Sequence, residues 1–239
     1  NGTKSHVING AQAETLVVSA RENGAKDDEV GISLFLVPLA FKGVTCIGQH
    51  NVDDTSGARI VFDNVRLAKS DRLGKAGNAF AALETATACA TLAVCAEAVG
   101  AMEAAKVLTV QYLKERQQFG VPIGKFQALQ HRMVDVLIEI EQARSAVVNL
   151  AGNLEAERNI RERHVSATKN LIGRVGALVA EESIQMHGGM GMTEELSVGS
   201  YVKRLMIANT LFGDADYQQQ RFSALVNAEE QEPAAVAAA

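Results

Sequence analysis

Cysteine is scarce in this chain of 239 residues: Cys46, Cys89 and Cys95 are too few and too scattered to frame a disulfide scaffold. None stands at metal-ligand spacing from another cysteine or from a histidine, so they read as small buried hydrophobes in a reducing compartment. Positive charge is also short. With 23 Lys and Arg against 28 Asp and Glu, a net charge of -5 and a pI near 5.6, no basic footprint for nucleic acid or an anionic membrane exists. No apolar run reaches the roughly 18 residues of a membrane span, and no basic-then-apolar leader opens the chain. A cytoplasmic protein without a membrane span is expected. Walker loop, dinucleotide-binding GxGxxG fingerprint and serine nucleophile elbow are all missing. His6, His50, His131 and His164 are scattered with no ligand partners, so no metal site is expected.

What is present falls into two parts with different periods. Residues 1 to about 75 read as strands: Thr15 to Ser19, Ile32 to Pro38 and the run "ARIVFDNVRL", bounded by Gly, Asn and Asp turns, with "RENGAKDDEVG" an exposed hairpin loop. The chain opens without Met in what reads as a strand, so residues upstream are expected. From Gly77 prolines occur only at Pro122 and Pro233, and Ala, Glu, Leu, Gln and Lys dominate, which is helix composition. Helices are predicted from about Asn78 to Gln118, Phe126 to Glu155 and Arg161 to Met186, with one or two shorter ones over 194–226. In the second, Leu129, Met133, Val136, Leu137, Ile140, Ala143, Val147 and Leu150 recur at three and four, giving one buried stripe. Long helices with short connections pack antiparallel. The expected fold is therefore α+β: an antiparallel β module over 1–75, an antiparallel four-helix bundle over 76–228, and a disordered tail over 229–239.

Two glycine-bearing corners interrupt the helical part. In "ERQQFGVPIGKFQALQ", Arg116 and Phe119 close one helix and Gln127 opens the next. A helix start offers unpaired N–H groups to phosphate, an arginine adds bidentate contacts, and a phenylalanine can cover a ring. In "QMHGGMGM", glycines at 188, 189 and 191 follow Gln185 and His187, more than one left-handed helix cap demands. Each stretch is also compatible with a plain interhelical turn, His187 then acting as a cap.

Together, in this order, the two corners resemble those of the acyl-CoA dehydrogenase family. "NGTKSHVINGA" is similar to that family's flavin-side strand, "ERQQFGVPIGKFQALQ" to its Arg-x-x-Phe-Gly turn and "QMHGGMGMTEE" to its Gln-x-x-Gly-Gly-x-Gly loop. The resemblance implies a partial middle β domain and a C-terminal four-helix bundle, the family's N-terminal helical domain being absent from the chain. It also implies FAD as cofactor, with Arg116, Phe119, Gln127, Gln185, Gly188 and Gly189 meeting a flavin held mainly by another subunit; Asp216 and Gln218 are assigned to the cofactor with them. The implied partners are an acyl-CoA substrate, an electron-transfer flavoprotein and related subunits of a homo- or hetero-oligomer, such as a tetramer. Alone, the chain is expected to have little activity.

The family reaction needs a carboxylate to remove the α-proton of the thioester. Where the commonest members read Tyr-Glu-Gly-Thr, this chain reads "TLFGDADYQQQR". Counting forward from Arg204 puts Gly213 in the glutamate's place; counting back from Arg221 puts Asp214 there. Asp214 is the expected base, its alternative being the N-cap of the last helix. The other location of the base in the family matches Ala90. In the flavin-side strand, Ile8 replaces a threonine hydroxyl that would donate to the flavin. The "LFGDAD" stretch is similar to the small subunits of bacterial heteromeric members such as pimeloyl-CoA dehydrogenase. Two alternatives stay open: an oxygen-using relative such as an acyl-CoA or nitroalkane oxidase, and a non-catalytic subunit that completes a partner's flavin site.

Overall fold

A computed structural model describes residues 1–236, with side chains described to residue 228. Of the tail expected to be disordered at 229–239, the backbone as far as Val236 continues the last helix, and residues 237–239 lie outside the described residues. Two compact units divide the chain, Asn1–Ala86 and Thr87–Ala239.

The first unit is built on two three-stranded antiparallel sheets. One has the order β1 (Gly2–Ile8), β5 (Ser56–Phe62), β4 (Val44–His50); the other β2 (Thr15–Arg21), β3 (Ile32–Pro38), β6 (Arg72–Leu73). β4, "VTCIGQH", escaped the sequence reading, because its Gly, Gln and His blur the alternation of apolar and polar residues that marks a half-buried strand. Period-two burial shows in β2, where Leu16 is buried and Val17 is 61% exposed. Leu16, Ala58 and Ile60 form the core. The predicted hairpin loop joins β2 to β3 and is held by Arg21, whose guanidinium donates to the carbonyls of Asn23, Lys26, Asp28 and Val30.

The second unit is a bundle of α1 (Phe80–Glu115), α2 (Gln127–Gly152), α3 (Arg158–His187), α4 (Val198–Thr210) and α5 (Ala215–Val236). Side-chain bonds fix the directions. Arg132 on α2 makes a bidentate pair with Glu182 on α3 at 2.5 and 2.9 Å, while Thr168 near the other end of α3 donates to the Ala146 carbonyl, so these two helices run antiparallel. Arg144 on α2 reaches Glu103 on α1, and Arg204 on α4 reaches Glu97. α4 and α5 follow one another along α3, so the four columns alternate up and down. The core is a continuous cluster that includes Met102, Val136, Ile140, Ile172, Val179 and Leu205.

The α2 stripe is buried at Val136, Ile140, Ala143 and Leu150, but Leu137 is 43% exposed. Its neighbours Val134 and Ile138 are exposed with it, so α2 carries a second apolar face outside this chain's core. α1 is long and apolar enough, by length and composition alone, to cross a bilayer, which a count of unbroken apolar runs did not anticipate. Its buried residues, Cys95, Ala98, Met102 and Ala105 among them, belong to the bundle cluster, as expected of a core helix in a bundle.

Candidate functional site

The first corner follows α1 directly. The Arg116 N–H donates to the Tyr112 carbonyl, and the chain then forms a two-residue hairpin, β7 (Gln117–Gln118) against β8 (Val121–Pro122). Its central residues Phe119 and Gly120 both have positive φ, 55° and 77°. Glycine adopts that conformation freely, whereas a phenylalanine there costs on the order of 1–3 kcal/mol. The strained Phe119 side chain is 90% exposed, touched edge-on by Phe126 at 6.1 Å. The hairpin cannot swing away, because Gly124 lies so close to the end of α1 that an added Cβ would sit 2.9 Å from the Leu113 carbonyl. Arg116 and Gln127 are exposed at this corner.

The second corner ends α3. Gly188 has φ 60° and ψ -142°, a conformation only glycine adopts readily. Gly191 is bare for an internal reason, since a Cβ there would meet the Ile184 carbonyl and the His187 Cβ at 3.0 Å. Gly189 has neither reason: its φ is not positive, and an added Cβ would meet nothing within 4 Å. Open space above Gly188 and Gly189, beside exposed Gln185, leaves peptide backbone that a ligand can approach closely.

The two corners sit side by side. His187, the last residue of α3, stacks on Tyr112 with ring centroids 4.6 Å apart and planes inclined by 31°. Since Tyr112 is one helical turn before Arg116, the Arg116 hairpin and the Gly188–Gly189 turn share one end of the bundle. Sequence reasoning missed this pair, because its members lie on different helices and neither carries a motif of its own.

The acidic corner is elsewhere. It joins α4 to α5 and is braced from below by Lys169, fully buried on α3, whose Nζ donates to the carbonyls of Asn209 at 2.8 Å and Gly213 at 2.9 Å. Burial holds the Lys169 amine below its ordinary pKa, with Cys95 and Asp214 pulling the other way. The same burial pushes the Cys95 thiol up to about 12. Gln218 turns inward, buried, its Nε2 donating to the Phe212 carbonyl at 2.6 Å, while Asp216 is exposed. Arg221 anchors α5 to α3 through Ser166 and the buried Glu162.

Within that corner the two counts have different physical outcomes. Gly213 has φ 91°, and a Cβ on it would lie 2.2 Å from the Tyr217 ring, so a side chain at 213 is strained and requires that half-exposed ring to move. Asp214 is exposed, and its Oδ1 accepts the Tyr217 N–H at 2.9 Å, the bond of a helix N-cap. From Lys169 to His187 is about 27 Å along α3 at ~1.5 Å per residue. Asp214, Asp216 and Gln218 are therefore brought together with one another but not with Arg116 and Gly188.

A cleft of about 720 Å³ lies in the β unit and is lined by Lys4, Phe35, Phe62 and Arg72 among others; it contains none of these residues. Among the described residues no cluster of His, Cys, Asp or Glu could hold a metal ion.

Residues 79–224 match the sequence profile of the family described as acyl-CoA dehydrogenase, C-terminal domain. The chain belongs to the acyl-CoA dehydrogenase family. A probable acyl-CoA dehydrogenase of Bacillus subtilis is 28% identical over 92% of this chain and 58% of its own length. The butyryl-CoA dehydrogenase structure from Megasphaera elsdenii superposes with a TM-score of 0.86 at 26% identity, covering 95% of this chain and 59% of that one. A chain from the structure of the electron transferring flavoprotein of Acidaminococcus fermentans matches at 28% identity and TM-score 0.86, over 95% and 60%. The chain thus spans somewhat over half the length of relatives in this family, corresponding to their C-terminal part.

Proposed function

We propose that the protein is an FAD-dependent acyl-CoA dehydrogenase in which this bundle supplies the Arg116 hairpin and the Gly188–Gly189 turn to a flavin dinucleotide held mainly by a second subunit. The contact of Tyr112 with His187 carries the reading, because it makes two corners far apart in sequence into one exposed surface. The residues suit such a group. Arg116 offers paired N–H donors to a pyrophosphate, Gly189 offers backbone without an intervening side chain, and Phe119 presents a ring face held ready in solvent. FAD held there would supply the acceptor for the hydride leaving the β-carbon of the acyl thioester, with an electron-transfer flavoprotein as the onward acceptor.

The group on this chain to take the α-proton is Asp214, a carboxylate at the exposed start of α5. A second reading has a specific observation behind it: Oδ1 of Asp214 is engaged as an N-cap, and the neighbouring position 213 is crowded by Tyr217. On that reading the chain completes a partner subunit's flavin site without doing chemistry itself. Asp214→Asn separates the two in the reconstituted full-length enzyme. Asparagine caps a helix about as well as aspartate, so stability is retained. Loss of the base lowers turnover roughly 100- to 10,000-fold. Undiminished turnover removes Asp214 from the chemistry and leaves the partner-subunit reading.

A further inference from the structure

We infer that His187 is a positioning residue for flavin binding: clamped between Tyr112 and the last turn of α3, it locks the two glycine-bearing corners into a single preorganised surface. The inference rests on the flavin reading above and asks what holds that surface together. His187 is 4% exposed. Its Nδ1 lies 2.8 Å from the Ser183 carbonyl, which can only accept, so Nδ1 carries the proton and the ring orientation is fixed from within α3. The ring face is covered by Tyr112. From there the main chain continues the linkage: the Tyr112 carbonyl accepts from the Arg116 N–H, and the Arg116 carbonyl accepts from the Ile123 N–H, both at 2.8 Å, closing the hairpin.

On the other side His187 leads directly into the glycine turn, which closes through the main chain. The Gly188 N–H donates back to the Gln185 and Ile184 carbonyls, and Gly191 folds so tightly over His187 that a Cβ would come within 3.0 Å of the His187 Cβ. One residue therefore stacks on the element that aims Arg116 and ends the helix from which Gly188 and Gly189 follow. A helix cap alone would need the bond to Ser183 but not the stack on Tyr112. Preorganisation matters because ordering two loops at the moment of binding is charged against affinity.

The test is FAD affinity of the full-length apoprotein, titrated by flavin fluorescence, alongside thermal unfolding. Tyr112→Leu keeps apolar bulk but removes the ring, and His187→Asn keeps a donor for the Ser183 carbonyl but removes the ring. Each is expected to weaken FAD by roughly three- to tenfold, the range of one aromatic contact. The double variant is expected to be no weaker than the worse single, because both remove the same contact. Tyr112→Phe restores the ring and with it the affinity lost in Tyr112→Leu. Unchanged FAD affinity in both single variants, with only the unfolding temperature lowered, would overturn the inference, as would additive losses in the double. Arg116→Ala separates the levels: if it too leaves affinity unchanged, the flavin reading itself falls; if it weakens FAD while the His187 and Tyr112 variants do not, only the positioning role does.

Discussion

Replacing Lys169 with methionine keeps the length of the side chain but takes the ammonium out of the bundle. The lysine is fully buried and its Nζ holds two main-chain carbonyls, of Asn209 and Gly213, on either side of the break between α4 and α5. With methionine both part-buried carbonyls lose their donor, at about 1–3 kcal/mol each. Part of that loss is offset because the variant no longer buries a charge. The net expectation is a loss of about 2–4 kcal/mol, which for a protein of this size lowers the unfolding midpoint by roughly 5–15 °C. The break itself should loosen, so backbone amides from Thr210 to Gln218 should exchange faster by a larger factor than those in the middle of α3. The pH dependence has a definite sign. Because the folded amine titrates below its ordinary value of 10.5, the unfolded chain binds more protons in the window beneath 10.5. Wild type should therefore gain stability relative to Lys169→Met as pH rises through that window, since a neutral amine still donates to both carbonyls. Urea unfolding and hydrogen exchange on the full-length protein measure all three effects. A variant as stable as wild type, with unchanged exchange over 210–218, would refute the view that this lysine braces the acidic corner.

Gly213→Ala should destabilise by about 2–4 kcal/mol, from positive φ together with the 2.2 Å approach to Tyr217, and adding Tyr217→Ser should recover part of it; equal stability of Gly213→Ala and wild type in urea would contradict the clash. Cys89 is exposed and should react with a thiol reagent in the native protein, whereas Cys95 should react only on unfolding; early modification of Cys95, seen by mass spectrometry, would count against its burial. The raised Cys95 pKa contributes stability that is present below pH 9.0 and lost as pH climbs toward about 12, so Cys95→Ala should flatten the alkaline decline in urea midpoint; identical slopes would refute the assignment. Arg221→Met leaves the buried Glu162 with Arg161 as its remaining partner and should cost about 1–3 kcal/mol, a figure that an unchanged midpoint would exclude.

The sequence displayed the bundle clearly, because helix periodicity is written locally. The predicted helices lie within a few residues of α1 to α4, while α5 runs ten residues past the predicted end at 226; Val136, Ile140, Ala143 and Leu150 are buried as their spacing required. Leu137 was misjudged for an instructive reason: it sits at the border of the stripe, and α2 has apolar residues on two faces, of which only one faces its own core. β4 was lost to residues of weak strand preference. The glycine corners were readable because glycine marks backbone that must be bare, but sequence could not say which glycine served packing and which faced outward. Gly191 and Gly189 answer differently, and only the distances to Ile184 and His187 separate them. Lys169 left a signal that could have been caught. It stands four residues after Val165, three before Ile172 and seven before Gly176, in the middle of a buried row, where a lysine needs internal partners.

The closeness of Gly213 and Tyr217 also constrains how this protein could change over generations. A mutation giving residue 213 a carboxylate would first collide with an aromatic ring, and a mutation removing that ring would gain nothing while 213 stayed bare. A glutamate at this position therefore carries the strain of a positive φ and requires the Tyr217 ring to turn aside into solvent. Residue 214, exposed and free of that crowding, is the position at this corner where a carboxylate stands without such a rearrangement.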